Sequence, residues 1–156
     1  MGAGKTTVGR ALAVRLGVPY ADNDAALVAR TGQDAASFAL QQGVEALHHL
    51  EREVLAAALR EEDGAVVGAP GSIALDPNAA DLLAAQWVVW LRAALATLSA
   101  RTHHDPIRPL LGSDPVAVLA ALMHEREPGF ARLATAIIDV DGLPADAIVE
   151  QILEAD

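Results

Sequence analysis

Cysteine is absent from the 156 residues. Disulfides and thiolate metal sites are thereby excluded, a pattern that fits a reducing compartment. Aromatic residues are scarce: two tryptophans, one tyrosine and two phenylalanines. The 53% apolar content draws heavily on alanine, which favours helices packed closely on something flat. Basic residues are few, 11 against 21 acidic ones, for a formal net charge of -10. An acidic chain repels phosphate backbones, which argues against nucleic acid as a partner. An anionic ligand would need a local cluster of arginines and backbone amides. No apolar run approaches the roughly 20 residues that span a bilayer. The first residues also lack the long apolar core of a secretory signal. We expect a cytoplasmic protein without membrane contact. Repeats, low-complexity tracts and linkers are missing too, so residues 1–156 are expected to form one domain.

Periodicity gives the elements. Val8, Ala11, Leu12 and Leu16 predict a helix over Thr6–Leu16, capped by Gly17. Val18–Ala21 reads as a short strand ending in Asp22-Asn23-Asp24, with a helix over Asp24–Ala29. Residues 30–43 stay unassigned. A long helix is predicted for Val44–Leu59, with Leu47, Leu50, Val54 and Leu55 on one face. Ala65–Gly68 predicts a buried strand running into the turn Ala69-Pro70-Gly71. Pro77–Ala85 predicts a helix capped by Asp76. A strand over Trp87–Leu91, with both tryptophans as packing residues, and a helix over Ala93–Arg101 come next. Thr102–Asp114, with two histidines, two prolines and Arg108, reads as a mobile loop. Helices over Pro115–His124 and Glu127–Thr135, a strand over Ala136–Val140 and a helix over Pro144–Leu153 close the chain. Strands alternating with helices predict an α/β fold with a largely parallel sheet.

The chain opens MGAGKTT. Gly4-Lys5-Thr6 matches the end of the phosphate-loop pattern G-x-x-x-x-G-K-[ST]. Glycines let backbone N–H groups turn toward phosphate oxygens, and the helix that follows presents its positive end to the anion. Lys5 would reach the outer phosphates, the Thr6 hydroxyl would ligate magnesium, and Thr7 could add a phosphate contact. The first glycine of the pattern would lie two residues before Met1.

Further motifs occur in a compatible order: MGAGKTTVGR over Met1–Arg10, Leu16-Gly17, Asp22-Asn23-Asp24, RPLL over Arg108–Leu111, and Arg126-Glu127-Pro128. Together they resemble the shikimate kinase family over nearly the whole chain. The resemblance implies a P-loop kinase fold of the nucleoside monophosphate kinase type, a five-stranded parallel sheet flanked by helices. It also implies ATP and magnesium as cosubstrates, a monomer, and phosphoryl transfer to the 3-hydroxyl of shikimate. Gly2, Ala3, Gly4, Lys5, Thr6 and Thr7 match the phosphate loop. Asp22 matches the carboxylate near magnesium, and Asp24 the one that binds the acceptor hydroxyl and can take its proton. Two residues along an extended segment point the same way, which suits the pair; the bland alternative has Asp24 capping the next helix. Arg108 matches the lid arginine that closes on the ATP phosphates, Arg101 the one packing on adenine at the lid's base, and Arg126 the one gripping the acceptor carboxylate. The plain alternative for each is a solvated surface arginine.

Two acceptor positions depart from the family. His48 stands where a second carboxylate-binding arginine is expected, in Leu47-His48-His49-Leu50-Glu51. Histidine offers no planar fork, and losing one charge-assisted bond costs about 1.5–3 kcal/mol. Glu51, one helical turn on, is placed to favour a charged imidazole. Ala69-Pro70-Gly71 replaces a triple glycine, so one backbone donor is lost at Pro70 while Gly71 keeps its own. These departures leave room for another hydroxy acid, such as gluconate, or for a nucleotide-binding paralogue without kinase activity. Adjacent helical residues do not share a face, so His48-His49 and His103-His104 are not read as metal sites. The family's central strand precedes the phosphate loop, so the natural protein is expected to begin upstream, with Met1 internal to the loop.

Overall fold

The computed structural model describes residues 2–61, 64–102 and 114–155. The chain divides into two compact units, Gly9–Ile73, and Met1–Val8 with Ala74–Asp156. The described residues contain four strands in two parallel pairs, each strand with a single hydrogen-bonded neighbour.

The Gly9–Ile73 unit holds most of α1 (Lys5–Leu16), then β1 (Tyr20–Asp22), α2 (Asn23–Thr31), α3 (Ala35–Gln42), α4 (Val44–Glu61) and β2 (Val66–Gly68). The predicted stop of α1 is real. Gly17 takes φ 70°, and the Val18 N–H donates to the Ala13 carbonyl at 3.0 Å, closing the left-handed turn that favours glycine. β1 and β2 pair in parallel, Tyr20 opposite Val66 and Asp22 opposite Gly68. The chain's only tyrosine lies where two glycines make room. A Cβ at Gly9 or at Gly68 would fall on the Tyr20 ring. The Arg10 guanidinium sits 5.9 Å from the ring centroid, within cation–π range.

α2, α3 and α4 share a small core of Leu27, Ala39 and Leu47, with Phe38 and Leu50 packed against it. α3 has no counterpart among the predicted elements. Its buried residues are Ala36 and Ala39, and alanines give hydrophobic periodicity little amplitude. Its start was nonetheless written in the chain: the Asp34 carboxylate accepts from the Ser37 N–H at 2.7 Å. That backbone bond holds the Asp34 carboxyl below its ordinary value. Arg30 on α2 pairs with Glu53 on α4 at 2.8 Å.

The other unit carries α5 (Ala79–Leu83), β3 (Val89–Arg92), α6 (Leu95–Thr102), α7 (Pro115–Leu133), β4 (Ala136–Asp139) and α8 (Ala145–Ala155). Three expectations need correction. α5 starts two residues late and stops early, because Asp76 does not cap it. The Asp76 side chain instead accepts from the Asn78 N–H at 2.8 Å, which makes a turn around Pro77. The strand begins at Val89, and Trp87 is left partly exposed outside it. The two helices predicted over 115–135 are one continuous α7, running through Pro128. Proline deprives the carbonyl one turn back of a donor, yet the helix continues on both sides.

β3 and β4 pair in parallel, with Arg92 opposite Asp139. Their side chains form a bidentate pair, Nε to Oδ1 at 2.6 Å and Nη2 to Oδ2 at 2.8 Å. The Trp90 ring lies 5.8 Å from the Arg92 guanidinium and stacks on Phe130 at 5.6 Å. Below the sheet, α8 buries Ile148, Val149 and Ile152. α7 comes so close to Ala74 that a Cβ at Gly129 would overlap the Ala74 carbonyl.

Two predictions follow from these contacts. Gly129→Ala should destabilise by about 1–3 kcal/mol or more in urea unfolding. Gly32→Ala, where only φ 72° resists a side chain, should cost about 1 kcal/mol; equal costs would contradict the close approach. The second prediction concerns pH. The Arg92 hydrogen bond holds the Asp139 carboxyl below its ordinary 3.8. The pair therefore adds stability above that value and loses it as pH falls through the lowered one. Asp139→Asn should lower Tm slightly at neutral pH, and the difference should shrink as pH falls below 3.8. A Tm loss that persists in acid would contradict this.

Candidate functional site

The phosphate-loop residues sit in the unit containing Met1–Val8. Gly2 takes φ 75° and Gly4 φ 90°. At Gly2 there is also no room: a Cβ would lie 3.1 Å from the Thr102 methyl and 3.2 Å from the Leu98 carbonyl oxygen, both on α6. At Gly4 a Cβ would make only ordinary contacts, 3.8 Å from Arg101 Nη1 and 3.9 Å from a Val8 methyl, so the backbone alone demands glycine. The turn then feeds α1 directly, with the Val8 N–H donating to the Gly4 carbonyl at 2.9 Å. Amides in a helix's first turn have no partner within the helix. Here they belong to Lys5, Thr6 and Thr7, and that turn carries no acidic residue. Lys5, the chain's only lysine, is half-buried at the first helical position. Ala3 lies between the two glycines. Free N–H groups, a helix's positive end and one ammonium fit a polyphosphate.

Arg101 joins this loop. Its Nη1 donates to the Gly2 carbonyl at 3.3 Å, a long bond from an exposed side chain. The neighbouring Thr102 is fully buried, its hydroxyl donating to the Leu98 carbonyl at 2.8 Å. Arg101 therefore has a contact that its sequence match did not suggest: it braces the turn.

Asp22, Asp24, His48 and Gly71 lie in the Gly9–Ile73 unit. Asp22 and Asp24 are not two positions along one extended segment. β1 ends at Asp22, and Asn23 already opens α2. It is Asp22 that caps the helix, its Oδ1 accepting from the Asp24 N–H at 3.0 Å. Asp24 stands exposed in the first turn, where the helix N-terminus favours a negative charge. The alternative in which Asp24 is the cap is thus corrected. Asn23, between them, is buried.

His48 is half-buried on α4, while His49 is exposed and approaches Glu53 at 3.5 Å. Gly71 opens a short 3-10 turn, Gly71–Leu75. Glu51 is buried, and its Oε2 accepts from the Ser72 hydroxyl at 2.5 Å. Ser72 is a buried partner of Glu51 that sequence reasoning missed. The signal was Glu51, an acid on the stripe of Leu47, Val54 and Leu55, which had to find a polar partner. Arg126 belongs to the other unit, in the middle of α7 and away from the helix start, half-buried with its Nε shielded from solvent. Arg108, together with the expected lid over 102–114 from position 103 to 113, lies outside the described residues.

The loop geometry makes a binding prediction. Gly2→Ala should abolish ATP binding measured by calorimetry, since it meets both strain and backbone contact. Arg101→Ala should weaken it by roughly tenfold or less. A Gly2→Ala protein that binds ATP normally would contradict the loop's tight seating on α6.

The family model for shikimate kinase matches residues 1–156. A shikimate kinase of Thermobifida fusca is 46% identical over 134 residues, 86% of this chain and 77% of that protein. That of Saccharopolyspora erythraea is 41% identical over 154 residues, 98% of this chain and 87% of that protein. Among solved structures, a shikimate kinase from Acinetobacter baumannii in complex with shikimate matches with a TM-score of 0.92 at 28% identity. The match covers 99% of this chain and 87% of that one. The fold is thus that of the P-loop kinases, and the chain belongs to the shikimate kinase family, phosphotransferases that act on an alcohol group.

Proposed function

We propose that this chain transfers the γ-phosphoryl group of ATP to the 3-hydroxyl of shikimate. The observation that carries this is the Gly2–Thr7 turn running into α1, with Lys5 at its first position. In the transfer, the acceptor oxygen forms a bond to the γ-phosphorus and the bond to the β–γ bridging oxygen breaks. The hydroxyl proton passes to the Asp24 carboxylate, which is exposed and so open to an acceptor. Lys5 and the first-turn amides of α1 hold the negative charge on the outer phosphates.

Magnesium, when bound, would neutralise phosphate charge. Among the described residues no three His, Asp or Glu side chains cluster to hold an ion alone. The Thr6 hydroxyl and, through water, Asp22 would therefore meet a metal that arrives with the nucleotide. Asp22 engages Oδ1 in capping α2, which leaves Oδ2 for that water. Arg101 steadies the loop beside adenine, and Arg108 closes on the phosphates. Arg126 grips the acceptor carboxylate with its planar fork, supported by His48 and the Gly71 N–H. The protein works as a cytoplasmic monomer.

His48 and Pro70 favour one second reading, a kinase for another hydroxy acid such as gluconate that keeps Lys5, Asp24 and Arg126 in the same roles. A coupled ADP-release assay separates the two. Shikimate-dependent turnover is expected, falling by roughly a hundredfold or more in Lys5→Ala and Asp24→Asn. Turnover on gluconate but not on shikimate would replace the first reading by the second. ATP binding without turnover on any acceptor would refute both.

A further inference from the structure

Glu51 breaks the pattern of its helix. The buried residues of α4 are Leu47, Glu51, Val54 and Leu55, the spacing of one apolar stripe. A carboxylate takes one of the four places and is only 8% exposed. Such a group is tolerated in the interior only where it is hydrogen-bonded. Ser72, also 8% exposed, donates its hydroxyl to Glu51 Oε2 at 2.5 Å across 21 residues of chain.

The segment around Ser72 is packed inside, with Pro70, Ile73 and Ala74 buried, but regular backbone hydrogen bonds around it are few. β2 ends at Gly68, and Pro70 has no N–H to give. The turn that follows is 3-10, whose bonds are poorly aligned. Its first bond, from the Ile73 N–H to the Pro70 carbonyl, is 3.3 Å long. The Ser72 hydroxyl adds a polar side-chain tie from this segment to α4.

Two acceptor-side positions adjoin that tie. Gly71 directly precedes Ser72, and His48 lies one helical turn before Glu51. We propose that the Ser72–Glu51 bond sets the Gly71 backbone donor against α4 at a fixed distance from His48, and so governs affinity for the hydroxy-acid acceptor. Ser72 and Glu51 are positioning residues; they act through Gly71 and His48 and leave the phosphate loop untouched. This rests on the acceptor roles given above to His48 and Gly71.

The test compares wild type, Ser72→Ala and Ser72→Thr by steady-state kinetics with shikimate and ATP varied separately, and by amide hydrogen exchange. Ser72→Ala should raise the shikimate KM roughly tenfold, with kcat and the ATP KM within about twofold. Ser72→Thr, which keeps the hydroxyl, should restore the shikimate KM. Amides of Gly71–Ile73 should exchange at least roughly tenfold faster in Ser72→Ala while those of β4 are unchanged. An unchanged shikimate KM, equal losses in kcat and ATP KM, or unchanged exchange at Gly71–Ile73 would each overturn the inference. These outcomes differ from failure of the functional reading itself, in which wild type does not turn shikimate over at all and the acceptor role of the clamp falls with it.

Discussion

The nucleotide side of this molecule depends on a backbone turn that only glycine can make. Gly2 and Gly4 both pass through positive φ, where a side chain costs about 1–2 kcal/mol. Gly2 is also pressed against Leu98 and Thr102 of α6. Thr102 can sit there because its hydroxyl is satisfied within its own helix by the Leu98 carbonyl. From that seating follows the direction in which the chain leaves the turn, and from that direction the start of α1 at Lys5. The free amides, the helix's positive end and the only lysine then converge without further machinery. An overall charge of -10 is no obstacle to binding a polyphosphate when the local field is built in this way.

The same economy of side-chain volume runs through both units. Gly9 and Gly68 flank the Tyr20 ring, and Gly129 meets the Ala74 carbonyl. In a chain with five aromatic residues, large rings cannot fill the interior, and backbones must approach one another closely. Alanine and glycine make that approach feasible. Its consequence is sensitivity to added volume at a few places, whereas at Gly142 nothing lies within 4 Å of a Cβ and only the positive φ of 70° resists a side chain.

The strongly periodic segments were legible in the sequence. α1, α4 and α8 lie within a few residues of where spacing and caps put them. What escaped has physical causes. α3 is cored by alanines that carry little hydrophobic contrast. α5 lost its predicted first turn because Asp76 bonds its own backbone two residues on, a competition that composition does not reveal. α7 runs on through Pro128, since tertiary packing outweighs a missing bond. On the site, the types and order of residues pointed to a phosphate loop at Gly2–Thr7 and to the Asp22–Asp24 pair as candidates. Which aspartate caps the helix, and that Arg101 touches the loop carbonyl, required coordinates. Ser72 could have been sought, because an acid on an apolar stripe demands a partner.

The acceptor side shows the opposite balance of charge and rigidity from the nucleotide side. Where the family places two arginines, this chain has Arg126 and His48, and one backbone donor has given way to Pro70. A lost charge-assisted bond weakens binding by about 1.5–3 kcal/mol, and no exposed surface group replaces a planar fork. Affinity can also be gained by ordering the pocket before the ligand arrives, since each immobilised side chain or loop residue costs about 0.5–1.5 kcal/mol on binding. Proline narrows the conformations open to the turn, and the buried Ser72–Glu51 bond ties that turn to α4. Fewer charged donors on a more rigid frame would discriminate by shape and by the direction of the donors that remain. On the acceptor roles proposed above, that would favour a rigid ring acid over a flexible open-chain one, because the rigid acid loses less conformational entropy of its own on binding.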